Sequence, residues 1–173
     1  MDNKRNEYLK FVDGELDVIS GIDATFKDDV LTKNGELHPN LKDKAKLLRS
    51  PYLNTEYLGF LMNEKGQAAL KNKKVRQAIN YGFDRKKMIQ FLRNNIGVPA
   101  NSGFVPAGLP SFDAEKVKGY DYNPKKARAL LKEAGYENGK GLGEIKLETT
   151  SSYKDLCTFI QNQLGEIGID IKM

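Results

Sequence analysis

Apolar side chains recur at helical spacing between residues 73 and 96, with polar residues at the positions between them. Such spacing predicts two successive helices whose apolar stripes face the same side. The positions in these stripes are Val75, Ala78, Ile79, Gly82, Met88, Ile89, Leu92 and Ile96. Asp84 lies between the stripes, where its carboxylate can accept the free amides at the start of the second helix. The stretch is therefore predicted to be a packing unit rather than a catalytic arrangement.

The same periodicity predicts further helices over residues 6–12, 24–33, 41–48, 124–134 and 153–166. The clearest of them follows Asn123, a good N-cap, and begins with Pro124, whose missing amide costs nothing at this position. Gly135 suits the left-handed conformation that ends many helices. Asp23 and one of the serines at residues 151–152 are predicted to cap two of the other helices.

Short apolar or alternating runs predict strands over residues 16–19, 57–62, 145–149 and 169–172. Strands and helices follow one another along the chain, so the predicted fold class is α/β in the mixed α+β sense. The expected architecture is a small sheet that is covered by helices.

Residues 98–110 are rich in proline and glycine, which excludes a regular helix there. Two interpretations stay open for this stretch. It is either an ordered loop that is wrapped on the surface, or a wall of a binding cleft.

The chain has 173 residues, of which 39% are hydrophobic and 29% are charged, as in an ordinary globular domain. No apolar run reaches the ~20 residues that a membrane-spanning helix needs, and residues 1–10 lack the apolar segment of a signal peptide. The formal charge of +5 leaves nucleic-acid binding open as an alternative. Basic residues alternate with acidic ones along the predicted helices, however, which favours solvated helix faces over a phosphate-binding patch.

Cysteine and histidine, which often carry catalysis or bind metals, occur once each. Cys157, the single cysteine, lies beside Leu156 and Ile160 in a helical stripe and is predicted to be buried rather than nucleophilic. His38 is the single histidine, so no zinc site is predicted and its surroundings indicate a turn. The glycines of residues 138–143 lack the spacing of a phosphate-binding loop. The sequence therefore predicts no enzyme, no cofactor and no metal site.

Residues 75–89, with the sequence VRQAINYGFDRKKMI, resemble a signature of the family 5 extracellular solute-binding proteins. These proteins are the oligopeptide-, dipeptide- and nickel-binding receptors of bacterial ABC importers. Other segments resemble the family in the same order, namely residues 11–19, 52–60, 97–110, 119–136 and 160–173. The resemblance covers nearly the whole chain. Several matching segments in the same order identify a family more specifically than any single matching segment does.

The resemblance implies that residues 1–173 form a single domain, a fragment of the C-terminal lobe of a larger two-lobed protein. Its fold would be one lobe of a periplasmic-binding-protein type II clamshell. Residues 1–62 would hold the crossover and first strands, and residues 63–173 the helical and sheet part of the lobe. The acid that receives the amino terminus of a peptide in relatives would lie beyond Met173.

The function implied by the resemblance is substrate binding for an ABC importer of oligopeptides or dipeptides, with the ligand held between two lobes. Permease subunits would be the protein partners, and the protein would lie in the periplasm or cell envelope with a lipid anchor. Two alternatives stay open: a receptor-like domain used for protein contact, and a basic nucleic-acid-binding module.

The resemblance implies ligand-binding roles for Tyr57, Gly59, Phe60 and Asn63. Many family members have an asparagine directly after the phenylalanine, whereas residues 61–62 separate the two here.

Three charged residues of the central stretch are assigned to structure instead of ligand binding. Arg76, Asp84 and Arg85 are predicted to form a helix cap and ion pairs within the lobe.

Overall fold

The structure is a computed structural model that describes residues 4–22, 26–50 and 52–173. The chain divides into two compact units. The first consists of Met1–Ser50 and Ile89–Val98, and the second of Pro51–Met88 and Pro99–Met173. The sequence predicts a single domain with an internal division after residue 62. That single-domain assignment and its division after residue 62 stay a prediction.

The described residues form helices and two short strands. The helices are α1 (Lys4–Val12), α2 (Lys27–Val30), α3 (Ala68–Lys71), α4 (Lys73–Gly82), α5 (Arg85–Leu92), α6 (Pro124–Glu133) and α7 (Lys154–Gly165). The strands are β1 (Ile145–Lys146) and β2 (Ile171–Lys172). Short 3-10 turns lie at Pro39–Leu41, Glu137–Gly139 and Ser151–Tyr153.

The two strands form a small parallel sheet in the second unit. Ile145 lies opposite Ile171 and Lys146 opposite Lys172, and the Leu147 amide donates to the Lys172 carbonyl at 2.8 Å. Helix α7 connects the strands, as a parallel pair requires. The sheet is shorter than residues 145–149 and 169–172 predict, and the predicted strands at 16–19 and 57–62 form no hydrogen-bonded pair in the described chain.

The core of the second unit is built from α4, α6, α7 and the sheet. All four positions of the first predicted stripe are buried in α4, which confirms that stripe. The most buried larger side chains of the described residues are Leu131, Leu164, Ile167, Ile169 and Val75. These residues come from three helices and from the turn before β2, so the core joins elements that are distant in sequence.

The second predicted stripe is only partly correct. Met88, Ile89 and Leu92 are half-buried, and Ile96 is 48% exposed because α5 ends at Leu92. Residues 93–98 therefore continue as turns rather than as a further helical turn.

Two of the predicted helix caps are formed. The Asn123 side chain accepts the Lys126 amide at 2.9 Å, and the Asp84 carboxylate accepts the Lys87 amide at 3.0 Å. Gly135 follows α6 with a φ of 89°, in the predicted left-handed conformation.

The predicted serine cap of the last helix is wrong. A 3-10 turn at Ser151–Tyr153 leads into α7, and no side chain caps the helix.

Two predicted helices differ in the first unit. Of the helix predicted over residues 24–33, residues 24–25 and the predicted cap Asp23 lie outside the described residues. Its C-terminal part is shorter than predicted: α2 ends at Val30, because Leu31 forms an antiparallel bridge with Leu37. The helix predicted over residues 41–48 is absent. Leu48 is 75% exposed, so no buried face stabilises a short helix there.

Cys157 is buried, as predicted. It is 5% exposed, and its Sγ lies 3.4 Å from Thr149 Oγ1.

Asn94 connects two segments of the first unit from a buried position. Its side chain nitrogen donates to Asp28 Oδ1 at 2.9 Å and to the Leu31 carbonyl at 3.3 Å. Its side chain oxygen accepts from Lys27 Nζ at 3.1 Å. The hydrogen bond from Asn94, followed by that from Lys27, lowers the pKa of Asp28. The asparagine therefore holds α2 against residues 89–98.

Asn94→Ala is expected to lower the free energy of unfolding by about 2 kcal/mol, because a buried carbonyl loses its donor. The measurement is urea denaturation followed by circular dichroism. Asn95→Ala is the matched control: both residues have positive φ, 48° and 58°, but Asn95 is exposed and donates to the Lys33 carbonyl. Equal losses in the two variants would show that burial of Asn94 contributes nothing.

Candidate functional site

The predicted ligand-binding residues lie in residues 52–63 of the second unit, which form neither a helix nor a hydrogen-bonded strand. Burial alternates here as it does along a strand. Leu58 and Phe60 pack against the core, whereas Tyr57 and Gly59 are exposed. Alternate side chains thus anchor the segment and leave Tyr57 and Gly59 accessible.

Asn63 lies in a turn at the end of this segment. Its Oδ1 accepts the Lys65 amide at 3.0 Å, and its carbonyl accepts the Gly66 amide at 3.1 Å. Phe60 and Asn63 thus have structural contacts within the unit. The assignment of these two residues, with Tyr57 and Gly59, to ligand binding stays a prediction.

An aromatic pair joins this segment to the loop at residues 99–112. The ring centroids of Tyr57 and Phe104 lie 4.9 Å apart, with their planes at 63°. Thr55 Oγ1 donates to the Phe104 carbonyl at 2.9 Å. Phe104 is missing from the predicted site because the loop has no apolar periodicity. The absence of charged residues from 99–112 was the available signal in the sequence.

The loop that carries Phe104 is closed at its base. The Gly119 amide donates to the Asn101 carbonyl at 2.9 Å, and Asn101 Nδ2 donates to Asp121 Oδ1 at 2.9 Å. Gly103 lies against Val117, since a Cβ on this glycine would be 2.7 Å from Val117 Cγ1. These contacts order the loop, and they are compatible with both interpretations from the sequence, a surface loop and a wall of a binding cleft.

A cavity of about 200 Å³ lies beside the start of α5 in the second unit. Its lining residues are Asp84, Arg85, Lys86, Pro99, Asn101, Asp121 and Tyr122. Arg85 donates to the Asn80 carbonyl at 2.9 Å and to Asn80 Oδ1 at 3.1 Å. Burial lowers the pKa of Arg85, and the Asp121 carboxylate opposes that change. Because the guanidinium donates within the fold, we interpret this arginine as a structural link.

The other residues assigned to structure also have defined partners. Asp84 caps α5 through the Lys87 amide. Arg76 donates to the carbonyls of Leu70 and Lys71 at 2.8 and 2.9 Å, at the end of α3 where carbonyls lack helical partners. Both arginines thus donate to carbonyl oxygens where the sequence predicts ion pairs.

Asp84→Ala is expected to lower the free energy of unfolding by about 1 kcal/mol through loss of the cap, with ligand binding unchanged. Thermal denaturation and calorimetric titration of the full-length protein measure the two quantities. Asp84→Asn is the matched control, because asparagine also caps helices. Normal melting with impaired binding would contradict the structural assignment.

Metal-binding and membrane-spanning features are absent from the residues that the structure describes. No group of three or more His, Cys, Asp or Glu side chains in these ranges could hold a metal ion. No helix among them is long and apolar enough to cross a bilayer. His38 Nδ1 accepts the Asn40 amide at 3.4 Å, in the predicted turn.

Comparison with known proteins gives a family match along the chain. A family model described as bacterial extracellular solute-binding proteins, family 5 Middle, matches residues 2–173. The glutathione-binding protein GsiB of Shigella flexneri serotype 5b (strain 8401) is 33% identical over 124 residues. The matched region covers 72% of this chain and 23% of GsiB, so the chain spans less than a quarter of that relative.

Solved structures share the fold. The ABC transporter-associated periplasmic binding protein DppA from Helicobacter pylori, in complex with peptide STSA, has a TM-score of 0.73 and 26% identity, covering 99% of this chain and 30% of DppA. NikA from Brucella suis, in complex with Fe(III)-EDTA, has a TM-score of 0.71 and 23% identity, covering 99% of this chain and 35% of NikA. The predicted fold class, a small sheet covered by helices in the type II periplasmic-binding-protein fold, is confirmed.

Proposed function

Because this chain belongs to the bacterial extracellular solute-binding proteins of family 5, we propose that it is part of the substrate-binding component of an ABC importer for oligopeptides or dipeptides. The family match over residues 2–173 is the observation that carries the proposal. Similarity to DppA, whose structure holds a peptide, favours a peptide as the ligand. Similarity to a glutathione-binding protein supports a small organic solute of this kind.

The proposed mechanism is closure of two lobes around the ligand. Backbone groups of the protein would pair with the peptide main chain, and bridging waters would accommodate different peptide side chains. This chain would contribute Tyr57, Gly59, Phe60 and Asn63 to the cleft. Tyr57 and Gly59 are the best placed of the four, because they are exposed on a segment whose neighbouring side chains pack against the core.

The proposed partners of the full-length protein are the peptide and the permease subunits of the importer. Closure around a ligand would favour one conformation of the receptor, and the permease would bind that conformation preferentially. The protein would lie in the periplasm or cell envelope, held by a lipid anchor. The family is one of binding proteins, and the proposal includes no enzymatic activity, cofactor, metal or nucleic-acid partner.

Native mass spectrometry of the purified full-length protein tests this proposal. A series of added masses that match short peptides is the expected result. A single added mass from a metal complex or a sugar would contradict the peptide class while keeping a receptor function. A mass without any added ligand, which also does not shift when a mixed peptide pool is added, would contradict solute binding and favour a protein-contact function. Copurified nucleic acid that is lost steeply with salt would support the basic-module alternative.

A further inference from the structure

Tyr57 and Phe104 contact each other while both rings stay open to solvent. Tyr57 is 71% exposed and Phe104 is 62% exposed, although their ring centroids are only 4.9 Å apart. Aromatic side chains dominate binding surfaces because each can bury roughly 150–250 Å². A contacting pair that is left exposed is therefore available to bind an apolar group.

The backbone beside both rings is held by contacts that do not use the exposed ring faces. Thr55 donates to the Phe104 carbonyl, and hydrogen bonds of Asn101 close the base of the loop. On the other side of the pair, Leu58 follows Tyr57 directly and packs against the core. Because the two segments are already ordered, a ligand that contacts the rings loses little additional conformational entropy.

The two segments that carry the pair contain very little charge. Residues 99–112 have no Asp, Glu, Lys or Arg, in a chain of which 29% of residues are charged. Glu56, which precedes Tyr57, accepts a hydrogen bond from the Tyr153 hydroxyl at 3.2 Å. An anionic ligand group on the rings would lose water without gaining an ionic partner, since residues 99–112 offer no cation and the nearest charge is the Glu56 carboxylate. An apolar or aromatic group would instead gain from leaving water.

We propose that the Tyr57–Phe104 pair is a specificity subsite that selects an apolar or aromatic side chain of the bound peptide. The inference rests on the proposed peptide-binding function, and it adds Phe104 to the predicted site as a specificity-determining residue. Gly59 leaves one side of the Tyr57 ring uncovered. A Cβ at this position would already be in van der Waals contact with the ring, 3.9 Å from atom Cε2. The peptide main chain would pass beside this glycine while one side chain contacts both rings.

The test offers the full-length receptor an equimolar pool of alanine peptides of three and five residues. Their central residue is Phe, Leu, Ala, Asp or Lys, and native mass spectrometry counts the complexes. The unaltered receptor is expected to prefer Phe and Leu peptides over Ala peptides by about tenfold. Phe104→Ala should reduce this preference to less than about threefold, with binding of the Ala peptides retained. Phe104→Leu, which keeps an apolar side chain, should retain part of the preference.

Phe91→Ala is the matched control, because Phe91 is 60% exposed and lies on α5 in the first unit. A preference that survives Phe104→Ala, or that Phe91→Ala removes equally, would overturn the inference while peptide binding stands. Unchanged selectivity with a lower melting temperature in Phe104→Ala would also overturn it, because another segment of the protein would then cover the pair. Failure of the unaltered receptor to bind any peptide of the pool would overturn the proposed function itself.

Discussion

Gly139→Ala is expected to lower the free energy of unfolding by about 4 kcal/mol. Gly139 has a φ of 79°, which strains any residue with a Cβ, and that Cβ would overlap the Gly168 carbonyl oxygen. The Gly168 carbonyl cannot turn aside freely, because the Ile169 amide of the same peptide group donates to the Leu164 carbonyl at 3.0 Å in the turn after α7. The Leu142 amide also donates to the Gly139 carbonyl at 3.0 Å, so separation of the two backbones would disturb a buried leucine.

Gly141→Ala separates the two causes of this effect. Gly141 has a φ of 80°, but a Cβ there would have no atom within 4 Å. Its expected loss is therefore about 1 kcal/mol, from backbone conformation alone. Urea denaturation followed by circular dichroism measures both variants. Similar losses would mean that Gly139 and Gly168 do not approach each other as closely as the structure shows.

Leu131→Ala is expected to lower the free energy of unfolding by about 3 kcal/mol. Leu131 is 0% exposed on α6, in the same core as Val75 and Ala78 of α4, which are also 0% exposed. A shorter side chain leaves a cavity that the surrounding helices close only in part. Asn123 and Gly135 fix both ends of α6, which limits how far this helix can move into the gap.

Leu130→Ala is the matched control in the same helix. Leu130 is only half-buried at the edge of the core, so its expected loss is about 1 kcal/mol. Differential scanning calorimetry of both variants gives the comparison. A loss at Leu130 as large as that at Leu131 would indicate that α6 buries a different face from the one described.

The parts of the fold that the sequence predicts well are those where periodicity and caps agree. Helix α6 has an apolar stripe between Asn123 and Gly135, and both ends are formed as predicted. Helix α4 likewise follows a strong stripe. In residues 41–48 the apolar spacing predicts a helix, but none of these residues is fully buried, and local propensity is too weak to form a helix alone. Strands β1 and β2 are shorter than the sequence predicts, because strand pairing depends on partners that are distant in sequence.

The candidate site is less accessible to sequence reasoning than the core. Tyr57 and Gly59 are assigned to the candidate site because of the resemblance to a family. The alternation of apolar residues agrees with their exposed positions. Phe104 lies 47 residues after Tyr57, in a loop without periodicity, so only the folded chain brings the two rings together. Proline, glycine and the lack of charge identify the loop as unusual, but they do not indicate which side chain it presents.

The burial of Cys157 gives this part of the molecule a built-in kinetic probe. A thiol-reactive reagent can modify it only in molecules where α7 has moved away from Thr149 and the core. The rate of modification under native conditions therefore measures how often the region opens. Since this chain has no other cysteine, its labelling has a single site, and the opening rate of the chain can be measured without altering any residue.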